Sequence, residues 1–464
     1  MKSKLSHLRP KGLHIVTMGC QMNVYDSQQM ERLLEPMNYR PARDPEKADL
    51  ILLNTCSIRE KAEHKVYSLL GRLARLKRKK PGLIIGVGGC VAQQEGRRIL
   101  ERAPHVDIVF GTFALRRIPR LVWQVIEKKR RVVDIGATEL VEPPCIRPSQ
   151  FQRGRATAFV TIMTGCDNFC TYCVVPYVRG REVSRRPEAI LKEIQYLVEA
   201  GVREITLLGQ NVNAYGMKKG HGCDFPTLLE AVNGIEGLKR IRFTTSHPKD
   251  LSDALIAAFG SLNKLAPHIH LPVQSGSDRV LKHMNRNYTR DYYLERVESL
   301  RNVRPDIAIT SDIIVGFPGE EEIDFKETLS LVETVGFDNL YIFKYSDRPN
   351  VAASRFANKV PDDIKSERFS RLLELQAGVT LRKNRSVVGT IQEVLVEGLS
   401  KKSDEQVTGR TPCNMIVNFP GTKQLIGELV PVKIEKAFSH SLFGFPVNRR
   451  EDHYGRKGGT PYAA

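Results

Sequence analysis

Long apolar runs are missing from this chain. Nothing in its 464 residues approaches the ~20 consecutive apolar residues of a membrane-crossing helix, which argues against a helical membrane protein. No segment joins a basic start to a long apolar stretch and a small-residue cleavage site, as a secretory signal would. The expected location is therefore the cytoplasm, with no membrane partner. Tryptophan is nearly absent, at one residue, so any stacking on a ligand falls to Tyr and Phe. Acidic charge is scarce beside basic: 52 Asp and Glu against 71 Lys and Arg leave a net +19. That excess favours a polyanionic partner such as nucleic acid, the alternative being a solvated basic face. No Ser or His stands in a nucleophile pattern, and no internal repeat is visible, so no acid–base triad is assigned. Nine cysteines is an odd number for a chain without a secretion signal; metal or catalytic roles are expected ahead of disulfides.

What is there reads as an α/β protein in three blocks. Hydrophobic residues at 41% and charged residues at 27% suit a globular chain, and the length suits roughly three domains. Residues 12–130 alternate apolar runs (Leu13 to Met18, Leu50 to Leu53, Leu83 to Val87, Val106 to Phe110) with helical patterns, which predicts a parallel sheet covered by helices. Residues 131–156 carry Pro143, Pro144 and Pro148 and read as a linker. Residues 157–382 hold six strand candidates: Ala158 to Met163, Glu204 to Leu208, Arg240 to Thr244, His268 to Leu271, Ile307 to Val315 and Asn339 to Tyr345. With helical patterns between them they predict a partial (β/α)6 barrel, whose site lies at the C-terminal ends of the strands. Residues 385–447 shift to short β-rich runs, Ile391 to Val396, Met415 to Phe419 and Glu428 to Lys436, and predict a small antiparallel β-barrel. Residues 448–464 are polar and Gly-rich and read as a disordered tail.

Two cysteine sets carry chemistry. Cys166-Asp-Asn-Phe-Cys170-Thr-Tyr-Cys173 places three thiols within one short loop after the first barrel strand. Soft thiolates suit iron–sulfur clusters and zinc. Three ligands leave one iron of a four-iron cluster open to substrate, whereas a closed zinc site needs a fourth ligand from elsewhere, such as His221 or Cys223. The second set is dispersed. Cys20, Cys56 and Cys90 each follow a predicted strand, and in a parallel sheet all strand C-termini share one edge. Convergence there implies a second cluster; three unrelated buried thiols is the plainer alternative. Cys145, Cys223 and Cys413 show no partner pattern. Gly209-Gln210-Asn211 and Gln274-Ser275-Gly276 end barrel strands, and their polar side chains are candidates for a small-molecule pocket.

Cys-x3-Cys-x2-Cys with Tyr172 before the last cysteine resembles the radical S-adenosylmethionine motif. Together with Met-Gly-Cys20-Gln-Met-Asn and Asn-Thr-Cys56-Ser-Ile-Arg, the chain from about 12 to 447 resembles the methylthiotransferase family. The stretches Met163 to Tyr177, Arg179 to Arg185, Leu271 to Ser277 and Gly409 to Phe419 are similar to the branch that modifies dimethylallyl-adenosine beside the anticodon of tRNA. In Tyr345-Ser-Asp-Arg-Pro-Asn-Val351 the chain departs from that branch, which usually has Gly-Thr where Asn350 and Val351 stand. The resemblance implies two 4Fe-4S clusters, one on Cys166, Cys170 and Cys173 that chelates S-adenosylmethionine, the other on Cys20, Cys56 and Cys90 that carries sulfur. It further implies methylthiolation at C2 of the adenine, S-adenosylmethionine as both methyl donor and radical source, and a TRAM RNA-binding domain at 385–447. A reductant such as flavodoxin or ferredoxin and an unidentified sulfur donor are implied partners. Tyr172, Gln210, Asn211, Gln274 and Ser275 are the candidate cofactor contacts. For RNA the candidates are Lys77, Arg78, Lys79 and Lys80 at the end of a basic helix, with Arg410, Phe419 as a stacking ring, and Lys423. Rival readings are a methylthiotransferase acting on a ribosomal-protein aspartate or on threonylcarbamoyl-adenosine in tRNA, and an RNA-binding iron–sulfur redox carrier.

Overall fold

The computed structural model describes residues 9–57, 60–136, 154–218, 222–401 and 403–447. Cys145, His221, the supposed tail 448–464 and most of the supposed linker lie outside them. Among the described residues, no helix is long and apolar enough to cross a membrane.

The first block is a six-stranded parallel sheet of β1 (Lys11–Thr17), β2 (Tyr39–Pro41), β3 (Leu50–Thr55), β4 (Ile84–Gly89), β5 (Ile108–Phe110) and β6 (Val132–Asp134), in the order β2-β1-β3-β4-β5-β6. The run Leu-Ile-Leu-Leu in β3 is apolar at every position because both faces are covered. Ile51 and Leu53 join Val66, Leu70 and Leu73 on one face; Leu50 and Leu52 join Met30, Leu34 and Leu121 on the other. The strand order reverses between β1 and β3, and ligands of such sheets bind in the crevice beyond the strand C-termini at that switch point. Strand β6 lies inside the stretch expected to be linker.

The central block contains the six expected strands: β7 (Thr157–Thr161), β10 (Glu204–Leu208), β11 (Arg240–Phe243), β12 (His268–His270), β13 (Ala308–Val315) and β14 (Asn339–Lys344). A short antiparallel pair, β8 (Met163–Thr164) with β9 (Val183–Ser184), branches off above β7. The parallel sheets β11-β10-β7 and β12-β13-β14 meet through a bridge between Ile241 and Leu265, so the partial barrel is one curved wall. Its outward apolar residues, including Ile205, Leu207, Ile241, Phe243 and Ile309, form the main core with the helices.

The last block is a closed five-stranded barrel, β15 (Ile391–Ser400), β16 (Ser403–Arg410), β17 (Ile416–Pro420), β18 (Leu429–Ala437) and β19 (Leu442–Pro446), in the order β15-β16-β17-β19-β18. Four pairings are antiparallel and β17 with β19 is parallel, a departure from the wholly antiparallel expectation. This barrel docks under the central one. Arg242 donates to the carbonyls of Thr411 (2.7 Å) and Pro412 (2.8 Å), and Arg240 to that of Arg410 (3.1 Å). Both arginines are buried and paired with Glu204 at the base of β10.

Candidate active site

Cys20 directly precedes the helix Gln21–Leu34 and follows β1; Cys56 follows β3; Cys90 opens the short helix after β4. The sheet thus delivers all three to one edge, with Cys20 and Cys56 flanking the switch point. A reciprocal amide lock fixes that spacing: Asn23 donates to Asn54 Oδ1 and to the Thr55 carbonyl, and Asn54 donates back to the Asn23 carbonyl (2.8 Å) and to Ser27. Two glycines allow the approach. Gly19 has φ +122°, and a Cβ there would lie 2.2 Å from Cys56 Cβ. Gly89 has φ +91°, and a Cβ there would lie 2.3 Å from the Thr55 carbonyl oxygen.

Cys56 and Cys90 are buried and Cys20 half-buried. Interaction among the three thiols, with Cys56 between the other two, lowers the pKa of Cys20 and Cys90 and raises that of Cys56. Arg179 adds to the lowering of the two outer thiols.

The second set rests on a different device. Gly165, at φ +77°, turns the chain from β8 into Cys166, with no room for a Cβ beside the Arg181 carbonyl. Phe169 takes φ +46°, and Thr171 bonds the Met284 carbonyl. Burial pushes the Cys173 thiol up to about 12, with the Cys170 thiol adding to it, and raises Cys166. Behind the loop sits Arg286, a buried cation that the sequence did not single out. It lies 3.4 Å from both Cys170 Sγ and the Tyr172 hydroxyl, and donates to the Pro272 carbonyl and to Tyr288.

All eight described cysteines are free. Each set offers three cysteines, one donor short of the four that a closed zinc site takes. Three soft thiols apiece, with a buried cation near each, suit an iron–sulfur cluster. The segments that carry the two sets also touch: Cys90 packs with Val174, Val178 and Val351 in one small apolar cluster, and Val174 is the residue after Cys173. The departure at Asn350 and Val351 therefore reaches this junction. Asn350 sits at φ +67°, where Asn is the best substitute for Gly.

The candidate cofactor contacts divide. Gln210 accepts from the Gly165 amide at 2.6 Å and so braces the cysteine loop. Asn211 donates to Asp250, while its Oδ1 is buried without a partner. Ser246 Oγ and His247 Nε2, after β11, are likewise buried without a partner, and neither was foreseen. Three such atoms at neighbouring strand ends make a polar cradle, since buried polar groups are nearly always bonded. Gln274 is buried at φ +75° beside β13. Ser275 directs its hydroxyl toward Thr328 and the Ser277 amide.

The RNA candidates are corrected in part. Lys77 pairs with Asp107, and Lys80 with Asp49 at 2.8 Å, leaving Arg78 and Lys79 as the exposed members. Asp49 and Asp107 precede β3 and β5, so this patch lies at the sheet edge opposite the cysteines. Arg410 is held by Glu397 and Asn414, and Lys423 is exposed. Phe419 is fully buried in the small barrel with Val407 and Val417 and cannot stack on a base. The exposed rings there are Phe438 and Phe445.

Comparison with known proteins agrees with this layout. Residues 12–111 match the uncharacterized protein family UPF0004, 160–332 the radical SAM superfamily and 385–447 the TRAM domain. A tRNA-2-methylthio-N(6)-dimethylallyladenosine synthase from Desulfosudis oleivorans is 52% identical, over 94% of this chain and 97% of its own. One of the same description from Geobacter metallireducens is 52% identical, over 94% and 98%. Among solved structures, the radical S-adenosylmethionine methyltransferase TsrM from Kitasatospora setae matches with a TM-score of 0.55 at 12% identity, over 75% of this chain and 74% of that one, a likeness of fold alone.

Proposed function

The chain belongs to the family of the tRNA-2-methylthio-N(6)-dimethylallyladenosine synthases, and from that premise we propose how its residues divide the work. The protein is a radical S-adenosylmethionine transferase that methylthiolates C2 of dimethylallyl-adenosine in tRNA. Cys166, Cys170 and Cys173 hold one 4Fe-4S cluster and Cys20, Cys56 and Cys90 a second. Bound there, the first supplies reductive cleavage of S-adenosylmethionine to a radical and the second supplies sulfur carriage. The observation that supports this reading is the packing of Cys90 on Val174, the residue after Cys173.

Around that junction the chain's own residues bind and orient. Arg286 holds positive charge against Cys170 and fixes the Tyr172 ring beside the loop. Asn211, Ser246 and His247 offer unpaired polar atoms to the ribose or methionine part of the cofactor, with Gln274 at the next strand end. Burial keeps the His247 imidazole neutral, so it contributes hydrogen bonds rather than charge. Arg78, Lys79 and Lys423 contact phosphates, with Phe438 and Phe445 as the rings available for stacking. Electrons come from a flavodoxin- or ferredoxin-type reductant, and sulfur from a separate donor.

Anaerobic reconstitution tests the division. The wild-type chain should bind about eight irons, the count for two cubane clusters. Replacing Cys166, Cys170 and Cys173 by Ala should leave about four and abolish deoxyadenosine formation. Replacing Cys20, Cys56 and Cys90 should also leave about four, keep deoxyadenosine formation and lose the methylthio nucleoside by mass spectrometry of tRNA. Full iron in either triple variant would sink the assignment.

A further inference from the structure

Arg179 ends the short helix Val175–Arg179 that follows Cys173, so it belongs to the central barrel. Its guanidinium is nonetheless buried against the first block, 2.7 Å from the Asp26 carboxylate. Asp26 lies on the helix Gln21–Leu34 that begins directly after Cys20. Val174 and Val178, on either side of this helix turn, pack against Cys90, and Thr112 of the first block donates to the Val178 carbonyl. A buried ion pair thus stands at the edge of the dispersed thiol set, its cation contributed by the segment that carries the other set.

We propose that Arg179, with Asp26 as its counter-charge, is a positioning residue that sets the electrostatic environment of the Cys20–Cys56–Cys90 centre from across the domain junction. A centre held by three thiolates accumulates negative charge, and a cation fixed beside it in a water-poor junction favours the reduced form. Asp26 orients the guanidinium and offsets part of its field. A purely structural ion pair would hold the two blocks together equally well but would give its two members no opposite effects on the centre.

The proposal rests on the cluster assignment above, and the experiment separates the two. In the variant lacking Cys166, Cys170 and Cys173 only the Cys20–Cys56–Cys90 centre remains, and its midpoint potential is read by an electron-paramagnetic-resonance redox titration. Arg179→Gln should move the potential to more negative values, Asp26→Asn to more positive values, and Arg179→Lys less than Arg179→Gln. Shifts of the same sign in the Gln and Asn variants, or no shift with iron retained, would overturn the electrostatic role. Should Arg179→Gln lose its iron, Asp26→Asn alone decides, since a negative or absent shift there is incompatible with the proposal. Absence of iron from the parent variant, before either substitution, would instead bring down the cluster assignment and this inference with it.

Discussion

The two cysteine sets present the same donors through opposite constructions. Cys166, Cys170 and Cys173 are gathered by one loop, turned by Gly165 and backed by Arg286. Cys20, Cys56 and Cys90 come from the ends of three strands and are gathered only because β1, β3 and β4 lie side by side in parallel. A loop-built site carries its geometry with it in the chain. A sheet-built site inherits its geometry from the packing of a whole domain, so damage to backbone fit should empty it while sparing the other.

The largest effect is expected from Gly89→Ala. The residue would have to hold φ +91° with its Cβ against the Thr55 carbonyl, a backbone conflict of roughly 1–3 kcal/mol or more. Iron at the Cys20–Cys56–Cys90 set should fall to near zero and methylthio product with it, while deoxyadenosine formation continues. Equal loss of both activities would break the comparison.

Arg286→Gln probes the other side. It removes charge-assisted bonds worth about 1.5–3 kcal/mol and the cation beside Cys170. S-Adenosylmethionine cleavage should drop while iron bound by the dispersed set is retained, as measured in the corresponding single-centre backgrounds. Loss of iron at the dispersed set instead would show that the two constructions are not independent.

The smallest effect concerns Glu182, which lies near the loop-built set. Burial, with Asp250 adding to it, raises its carboxyl from 4.5 to about 7. The sign follows from linkage: with the folded value above the unfolded one, its contribution is fully present below about pH 4.5 and is lost as pH rises through about 7. Chemical denaturation of the metal-free wild type between those limits should show stability falling relative to Glu182→Gln, modestly, because the group is partly solvated. Parallel pH profiles would remove Glu182 from the account.

The same contrast explains how much could be read from the sequence. The loop-built set was legible as spacing alone. The dispersed set was legible only after the strands had been placed, since each cysteine follows an apolar run that is easy to recognise. All six barrel strands were visible because their outward residues are apolar. Strands β2, β6, β16 and β19 were not: Tyr-Arg-Pro and Val-Val-Asp are too short, Ser403–Arg410 is mostly polar, and Leu-Phe-Gly-Phe-Pro carries turn residues. Phe419 was misassigned although its alternation with Val417 already set both on one face of β17. The roles of Arg179 and Arg286 could not be read there, because each acquires its meaning from partners contributed by remote segments.

The contact between the central and terminal barrels has a consequence for divergence. Arg240 and Arg242 grip the backbone oxygens of Arg410, Thr411 and Pro412, atoms that every amino acid possesses. These three bonds are therefore blind to the side chains of Arg410, Thr411 and Pro412. Mutation can rewrite side chains displayed by the terminal barrel away from Glu393 and Cys413, and with them its choice of RNA, without touching these bonds.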